Sequence, residues 1–363
     1  MSRRASAVLL LALLATGCSA SADNGTAVHF ENSEEPVANA QVTPLVGNRG
    51  TDGALRAFAL DPNNNAVTTD ENGIFAIEYG TVPAIAGVQV TIDVPSRVGD
   101  AVGQIDWRGI VADPTLRGLR LDVPQPIACT DDDGCGTPLL PDLTPIIGWG
   151  DLDPSVAERL MPTAVGPPSA GLFPAEAWFT SEEEGRMLLR FPTVAANVGD
   201  GPLDIIAVPG DGESSQTWQR VWTSDWNFQD SLSGEFIFHP EHDHVHFDAF
   251  ERYTLRDLGG AVVASSEKVS FCLRDSVRVT ERLPAPDGLM LVDDGSCEGQ
   301  QQVINAGFGD HYHALLEDQW IDITGVPAGD YELEIAVDPL DLIQESNESN
   351  NVASFAITLE AQN

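Results

Sequence analysis

The amino-acid sequence predicts an all-β protein: a small N-terminal β-sandwich followed by a larger, mainly β domain. Three observations predict it. Apolar residues recur in short alternating runs rather than at helical spacing. Turns rich in Asp, Asn and Gly separate those runs at regular intervals. Helical periodicity is absent apart from one short stretch, Ser155 to Leu160.

The N-terminus reads MSRRASAVLLLALLATGCSAS. Arg3 and Arg4 precede an apolar run from Ala7 to Ala15 that is too short for a stop-transfer helix, so residues 1–17 read as a secretory signal. The stretch ending Gly17-Cys18 is similar to a bacterial lipobox, although Ala15 stands where leucine is commoner. It implies cleavage before Cys18 and a lipid on that thiol. Ordinary signal cleavage nearby is the alternative. Residues 18–26, small and polar, suit a tether.

From residue 27 to 128 the pattern is β. Val37–Val42, Ala54–Leu60, Ile74–Tyr79 and Val88–Val94 are the clearest runs. Regular spacing of this kind suggests a small sandwich. The segment Thr68–Phe75 resembles the turn signature of carboxypeptidase-regulatory-like and related Ig-like modules. No chemistry is visible in it, so a spacer or adhesion role is expected.

Cys129 to Cys135 encloses three consecutive aspartates, and Pro138 and Pro141 follow. The domain boundary is expected there. A solvated, pinched turn accounts for the acids, with calcium as the alternative. The second domain, 137–363, offers strands at Met187–Phe191, Glu235–Phe238, Val245–Tyr253, Ala261–Ala264, Val269–Leu273, Trp320–Thr324, Tyr331–Val337 and Val352–Leu359.

Besides Cys18 the chain holds Cys129, Cys135, Cys272 and Cys297. Two bridges fit an oxidising compartment, and local pairing, 129–135 with 272–297, is the simplest of three connectivities. The formal charge is −38. Such a surface argues against nucleic acid or anionic lipid as partners and favours cationic ligands; it would equally suit a saline habitat. Of 18 basic residues only Lys268 is a lysine. A lone lysine among arginines suggests a position where a primary amine is needed and a guanidinium cannot substitute.

Four of the seven histidines fall in one stretch, FHPEHDHVHF, as His239, His242, His244 and His246. The last three, at i, i+2 and i+4, would face one side of a strand. Neutral imidazole suits copper, zinc, iron or nickel; a solvated His-rich loop is the bland alternative. On a straight strand these residues span roughly 13 Å, so one ion could hold all three only where the chain bends or bulges.

FHPEHDHVHF, then SEKVSFCLRD at 266–275 and GDHYHALLEDQWIDITGVPAGDY at 309–331, together resemble the catalytic domain of lysyl oxidases. Leu140–Leu143, Leu188–Pro192 with Asn197–Gly199, and Glu345–Asn351 fall in the same order as in that family. The resemblance runs from Leu140 to the C-terminus; the first 130 residues have no counterpart, and the animal enzymes' cysteine pattern is only partly present.

The resemblance implies copper ligands His242, His244 and His246, with His239 an additional motif histidine outside the ligand set. It implies a self-made cofactor, lysine tyrosylquinone, built from Lys268 and Tyr312. The lysine is the one that precedes Ser-Phe-Cys-Leu, and the tyrosine lies eight residues before Trp320. The chain's single lysine therefore lands where the chemistry demands an amine. Copper near a tyrosine can activate it toward O₂, an amine can add to the oxidised ring, and the resulting carbonyl is an electrophile for a substrate amine. The implied reaction is oxidative deamination of primary amines, such as lysyl side chains of lysine-rich proteins or polyamines, to aldehydes with hydrogen peroxide and ammonia. Asp310, His311 and His313 flank Tyr312 and are candidate bases. His313 replaces a glycine that often follows this tyrosine.

The family's calcium stretch maps onto Asp142, the Leu143 carbonyl, Glu345, Asn347, Asn350 and Asn351, hard oxygen ligands suited to that ion. Asn347 replaces an acid, and an exposed hairpin turn is the alternative. Two other functions compete with the oxidase: a surface copper-binding or adhesion lipoprotein in which no quinone forms, and a metal-dependent dioxygenase using the histidines alone.

Overall fold

The computed structural model describes residues 26–361 apart from 32, 50–54, 61–65, 77–84, 96–101, 111–118, 124, 130–134, 147–177, 208–213, 241–242, 267–268, 280–289, 292–296, 298–300, 313, 315 and 317. Every regular element among the described residues is a β-strand, as expected. The secretory signal, Cys18, the Ser155–Leu160 stretch, His242, Lys268 and His313 lie outside the described residues.

The N-terminal strands form two sheets. In one, Thr26–Phe30 lies between Ile74–Phe75 and Arg120–Val123. In the other, Val102–Ile110, Ile85–Pro95, Gln41–Arg49 and Leu55–Leu60 follow in that order. Val88, Val90 and Ile92, two apart, are buried, and Val28, Phe75, Leu121 and Val123 from the first sheet complete the same core. The turn seen in the sequence is built on Asp70, whose carboxylate accepts the N–H groups of Asn72 and Ile74, both at 2.8 Å. Gly73, at φ 69°, follows; a Cβ there would stand 2.4 Å from the Val28 carbonyl oxygen. Only glycine fits.

The C-terminal part is organised on a ten-stranded sheet. Its main path runs Gln301–Ile304, Leu203–Ala207, Ser214–Thr223, Phe228–His239, His244–Asp257, Gly329–Val337 and Val352–Leu359. Val262–Ser265 and Val269–Phe271 both pair with His244–Asp257. A second sheet joins Leu143–Ile146, Thr193–Asn197, Phe308–Tyr312 and Val277–Arg278. A third holds Phe179–Glu183, Arg186–Arg190 and Trp320–Asp322. Phe191, Ala195, Phe236, Phe247, Phe250, Tyr253, Phe271 and Leu333 fill the core between them. Burying each large apolar side chain of this kind contributes about 1.5–3 kcal/mol relative to exposure.

His244–Asp257 changes partners along its length. Phe247 faces Phe236 on one edge, whereas Glu251 faces Val337. The change falls at Ala249, which takes φ 52°, and the pairing with Val269–Phe271 is irregular over the same residues. A bulge here twists the strand, aiming its first residues away from the rest.

The two parts share packing. Leu139, Trp222, Phe228, Leu291 and Val303 belong to the N-terminal core cluster. Met290–Leu291 adds an edge strand to the N-terminal sheet beside Val102–Ile110. Two disulfides close, Cys129–Cys135 and Cys272–Cys297, the pairing expected as simplest.

Candidate metal and tyrosine site

His239 ends one strand, His244 begins the next, and the two are directly opposite in the register. The chain turns back between them with Asp243 at φ 58° and its N–H donating to the His239 carbonyl at 2.9 Å. Aspartate is among the few non-glycine residues that tolerate this conformation. The straight strand thus begins only at His244, and the bend that one ion would require is supplied by the hairpin. His246, two residues on, shares the face of His244 and is buried.

Three imidazoles meet there. His246 stacks on His239 with ring centroids 4.3 Å apart and lies 4.9 Å from His244. The Nε2 atoms of His244 and His246 approach to 2.9 Å. The Ser270 hydroxyl sits on the other side, 3.1 Å from His239 Nε2 and 3.5 Å from His246 Nδ1. Nε2 of His246 is thereby directed at His244 rather than at Ser270. Two nitrogens about 2.0 Å from one ion at about a right angle would be about 2.8 Å apart, so the pair fits adjacent positions around a single transition metal.

Tyr312 ends the strand Phe308–Tyr312, opposite Thr193. Its hydroxyl accepts the Cys272 N–H at 2.9 Å, and its ring leans on Phe271 with centroids 3.8 Å apart. Burial chiefly pushes the phenol well above its ordinary range; the Asp310 and Glu251 carboxylates add to this, and the Cys272 N–H opposes it. The side chain is therefore a neutral phenol unless a cation approaches. Asp310 is buried, with the Ser276 hydroxyl 3.2 Å from its Oδ1. The next residue, His311, donates its backbone N–H to the same hydroxyl.

His239, His244, His246, Asp310, His311 and Tyr312 line one cavity of about 370 Å³. The structure thus brings together every described candidate of the histidine and tyrosine motifs. Ser266 bonds both ways to the Tyr253 backbone, and Val269 is opposite Glu251.

Sequence reasoning missed a buried network beside the tyrosine. Glu251 Oε2 accepts the Tyr253 hydroxyl at 2.7 Å. That hydroxyl is also 3.1 Å from Gln319 Oε1 and 3.3 Å from Thr193 Oγ1. Gln319 lines the cavity and is held by its Nε2 on the Phe191 carbonyl. Burial pushes the Glu251 carboxyl up to about 7. The signal was readable: Glu251, Tyr253 and Leu255 alternate, which puts an acid on an apolar face.

Five of the six oxygen-ligand candidates converge elsewhere. Glu345 accepts the Leu143 N–H through one oxygen and the Asn351 amide through the other, the latter at 2.7 Å. Asp142 accepts the Asn350 amide at 2.6 Å. Burial above all, with Glu348 and Asp338 adding charge, raises the Glu345 carboxyl to about 8. The side-chain carbonyl oxygens of Asn350 and Asn351 are buried without a hydrogen bond. Asn347 stands apart, exposed, its amide oxygen accepting from the hydroxyl and N–H of Ser349.

Comparison with known proteins finds one family in the C-terminal part of the chain. The model described as Lysyl oxidase matches residues 219–363. Human lysyl oxidase homolog 1 is 32% identical over 169 residues, which is 46% of this chain and 24% of that protein. Human lysyl oxidase homolog 2 is 34% identical over 118 residues, 32% of this chain and 14% of that protein. Mouse lysyl oxidase homolog 4 is 36% identical over 118 residues, with the same shares. The chain thus spans under a quarter of the length of these relatives.

Proposed function

Because residues 219–363 match the lysyl oxidase family model, we propose that the chain is an exported copper-dependent amine oxidase. Its reaction is the oxidative deamination of primary amines, lysyl side chains or similar, to aldehydes, with O₂ consumed and hydrogen peroxide and ammonia released. The observation that carries this reading is the meeting of His244, His246 and Tyr312 in one cavity.

His242, His244 and His246 would hold the copper, and His239 would brace His246 by stacking and through Ser270. Imidazole nitrogens suit copper(II), and the paired Nε2 atoms fit adjacent coordination positions. When bound, copper would activate the tyrosine toward O₂, and the lysine tyrosylquinone formed from Lys268 and Tyr312 would accept electrons from the substrate amine. The chain's own residues do the remaining work. Tyr312 is half-buried and fixed in orientation by the Cys272 N–H. Asp310 and His311 stand beside it as acceptors for the substrate's proton, with His313 the third candidate. Lys268 supplies an amine where arginine would remain protonated.

Asp142, Leu143, Glu345, Asn350 and Asn351 would hold calcium, clipping the first strand of the catalytic part to its last turn, with Asn347 at the edge. A carboxyl raised by burial beside two amide oxygens lacking donors is a site short of positive charge.

The N-terminal signal and the two disulfides support an oxidising, extracytoplasmic location, with the membrane reached only through a lipid on Cys18. The charge of −38 favours lysine-rich proteins or polyamines as partners and opposes nucleic acid.

The test is a phenylhydrazine adduct on copper-loaded protein, located by peptide mass spectrometry. Wild type is expected to form it on Tyr312, and Lys268→Arg to lose it together with amine-dependent peroxide release. Copper retained without an adduct in wild type would leave a surface copper-binding lipoprotein instead. Activity surviving in Lys268→Arg would point to metal chemistry on the histidines alone.

A further inference from the structure

The N-terminal sheet that holds Val102–Ile110 reaches the cavity through one buried side chain, Asn305, which the amine-oxidase reading does not use. Asn305 is 1% exposed. Its Oδ1 accepts the Leu291 N–H at 2.8 Å, and its Nδ2 donates to the Leu291 carbonyl at 3.0 Å. The side-chain amide thus takes both backbone groups of Leu291, as a neighbouring strand would. Backbone groups alternate in direction along a strand, so those of Met290 point the other way, toward Asp106 directly opposite in Val102–Ile110. The edge strand is held from two sides, by the N-terminal sheet through Met290 and by Asn305 through Leu291.

Asn305 passes this hold on to the site. Its backbone N–H and its Nδ2 donate to the two carboxylate oxygens of Asp275, at 2.8 and 2.7 Å. Its carbonyl accepts the N–H of Phe308 at 3.0 Å, and Phe308 begins the strand that carries Asp310, His311 and Tyr312. Asp275 lies between Arg274 and Ser276, both of which line the cavity. The Ser276 N–H donates to the Gly309 carbonyl at 3.1 Å. Its hydroxyl stands 3.1 Å from that carbonyl and 3.2 Å from Asp310 Oδ1, and it accepts the His311 N–H. A run of hydrogen bonds thus leads from the N-terminal edge strand to Asp310.

We propose that Asn305 and Asp275 are positioning residues of the cavity: through them the N-terminal sheet braces the Ser276 hydroxyl and sets where the Asp310 carboxylate stands. The N-terminal part is then an intramolecular partner of the site and more than a spacer. The consequence for turnover rests on the amine-oxidase reading, in which Asp310 stands as an acceptor for the substrate's proton. The brace itself does not depend on that reading.

The chemistry of each link makes the brace stiff. The Asn305 amide spends its oxygen and its nitrogen on Leu291 and Asp275, so a shift of either partner would strand a buried donor or acceptor away from water. The Ser276 hydroxyl has one proton for two acceptors, the Gly309 carbonyl and Asp310 Oδ1, so its placement decides how firmly the carboxylate is held. Misplacing a reacting group by about 1 Å costs on the order of a hundredfold in rate.

The experiment uses the full chain and two readouts. Hydrogen exchange of residues 272–279 and 301–312 is followed by mass spectrometry on metal-free protein, and kcat and KM for amine oxidation are measured on copper-loaded protein. Asn305→Asp sets a second carboxylate against Asp275 and removes the amide protons that serve Asp275 and Leu291. It is expected to speed exchange in both segments and to lower kcat at least about tenfold, with KM changed less than about twofold. Adding Asp275→Asn returns a donor and an acceptor between the two side chains, so the double variant should recover most of both losses. Asp106→Pro guards against an Asn305 variant that fails to fold. It cuts the brace from its other end, removing an N–H directed at Met290 while touching no residue of the cavity. Both readouts should move in the same direction by a smaller amount. Exchange and kcat unchanged in Asp106→Pro, or no recovery in the double variant, overturns the assignment. No amine oxidation by copper-retaining wild type overturns the amine-oxidase reading, and the exchange pattern alone then decides whether the brace exists.

Discussion

The phenolic oxygen of Tyr312 accepts the backbone N–H of Cys272 at 2.9 Å, four residues beyond Lys268. Cys272 is bridged to Cys297, whose carbonyl accepts the N–H of Val245, the residue between His244 and His246. Tyrosine, Cys272 strand and histidine pair are thus tied by one disulfide and two hydrogen bonds donated by backbone N–H groups. This fixes where the ring sits while leaving the histidine ring nitrogens out of the linkage.

Tyr312→Phe should abolish the phenylhydrazine adduct and peroxide release while leaving copper content unchanged. It also strips the acceptor from a buried N–H, so unfolding should become easier by about 1–3 kcal/mol. Denaturant titration of the metal-free proteins measures that difference.

His239→Phe separates bracing from ligation. A phenyl ring can keep the stacking on His246 but cannot bond Ser270. Copper stoichiometry should stay at one per chain, with affinity weakened by about 10–100-fold as expected for an outer-shell partner. Competition with a chromophoric chelator reads the affinity. Loss of all bound copper would make His239 a ligand.

Calcium at millimolar concentration should raise the melting temperature of wild type, because an ion bound only by the folded chain stabilises it by mass action. Glu345→Gln should abolish that rise. Asn347→Ala should retain most of it, since Asn347 is turned toward Ser349 and away from the other five residues. Differential scanning fluorimetry with and without chelator distinguishes the three proteins.

Glu251 gives the stability a pH dependence whose sign follows from its raised carboxyl. The folded form holds its proton to about 7 whereas an unfolded glutamate releases it near 4.5. Between those values the native state binds more protons, so stability falls as pH rises through that window and levels off above it. The expected loss is on the order of 3 kcal/mol. Metal-free Glu251→Gln should lack it, as urea midpoints at pH 5 and pH 8 will show.

What was legible in the sequence follows from periodicity. Val88, Val90 and Ile92 alternate because one face of their strand is buried, and His244 and His246 share a face for the same geometric reason. Thr193–Asn197 and Leu203–Ala207 were missed as strands. Both are buried on their two faces, so no alternation marks them. Phe308–Tyr312 is not legible as a strand because Gly309 and Asp310 are poor strand formers. Opposition of His239 to His244 depends on hairpin register, which turn geometry sets and composition does not. Glu251 is legible only through its parity with Tyr253 and Leu255, which sets an acid on an apolar face.

The edge strand Met290–Leu291 lies within the covalent loop closed by Cys272 and Cys297, yet its hydrogen bonds go to Val102–Ile110 of the N-terminal sheet. The covalent loop that carries the Cys272 N–H orienting Tyr312 therefore also joins the C-terminal part to the N-terminal sheet.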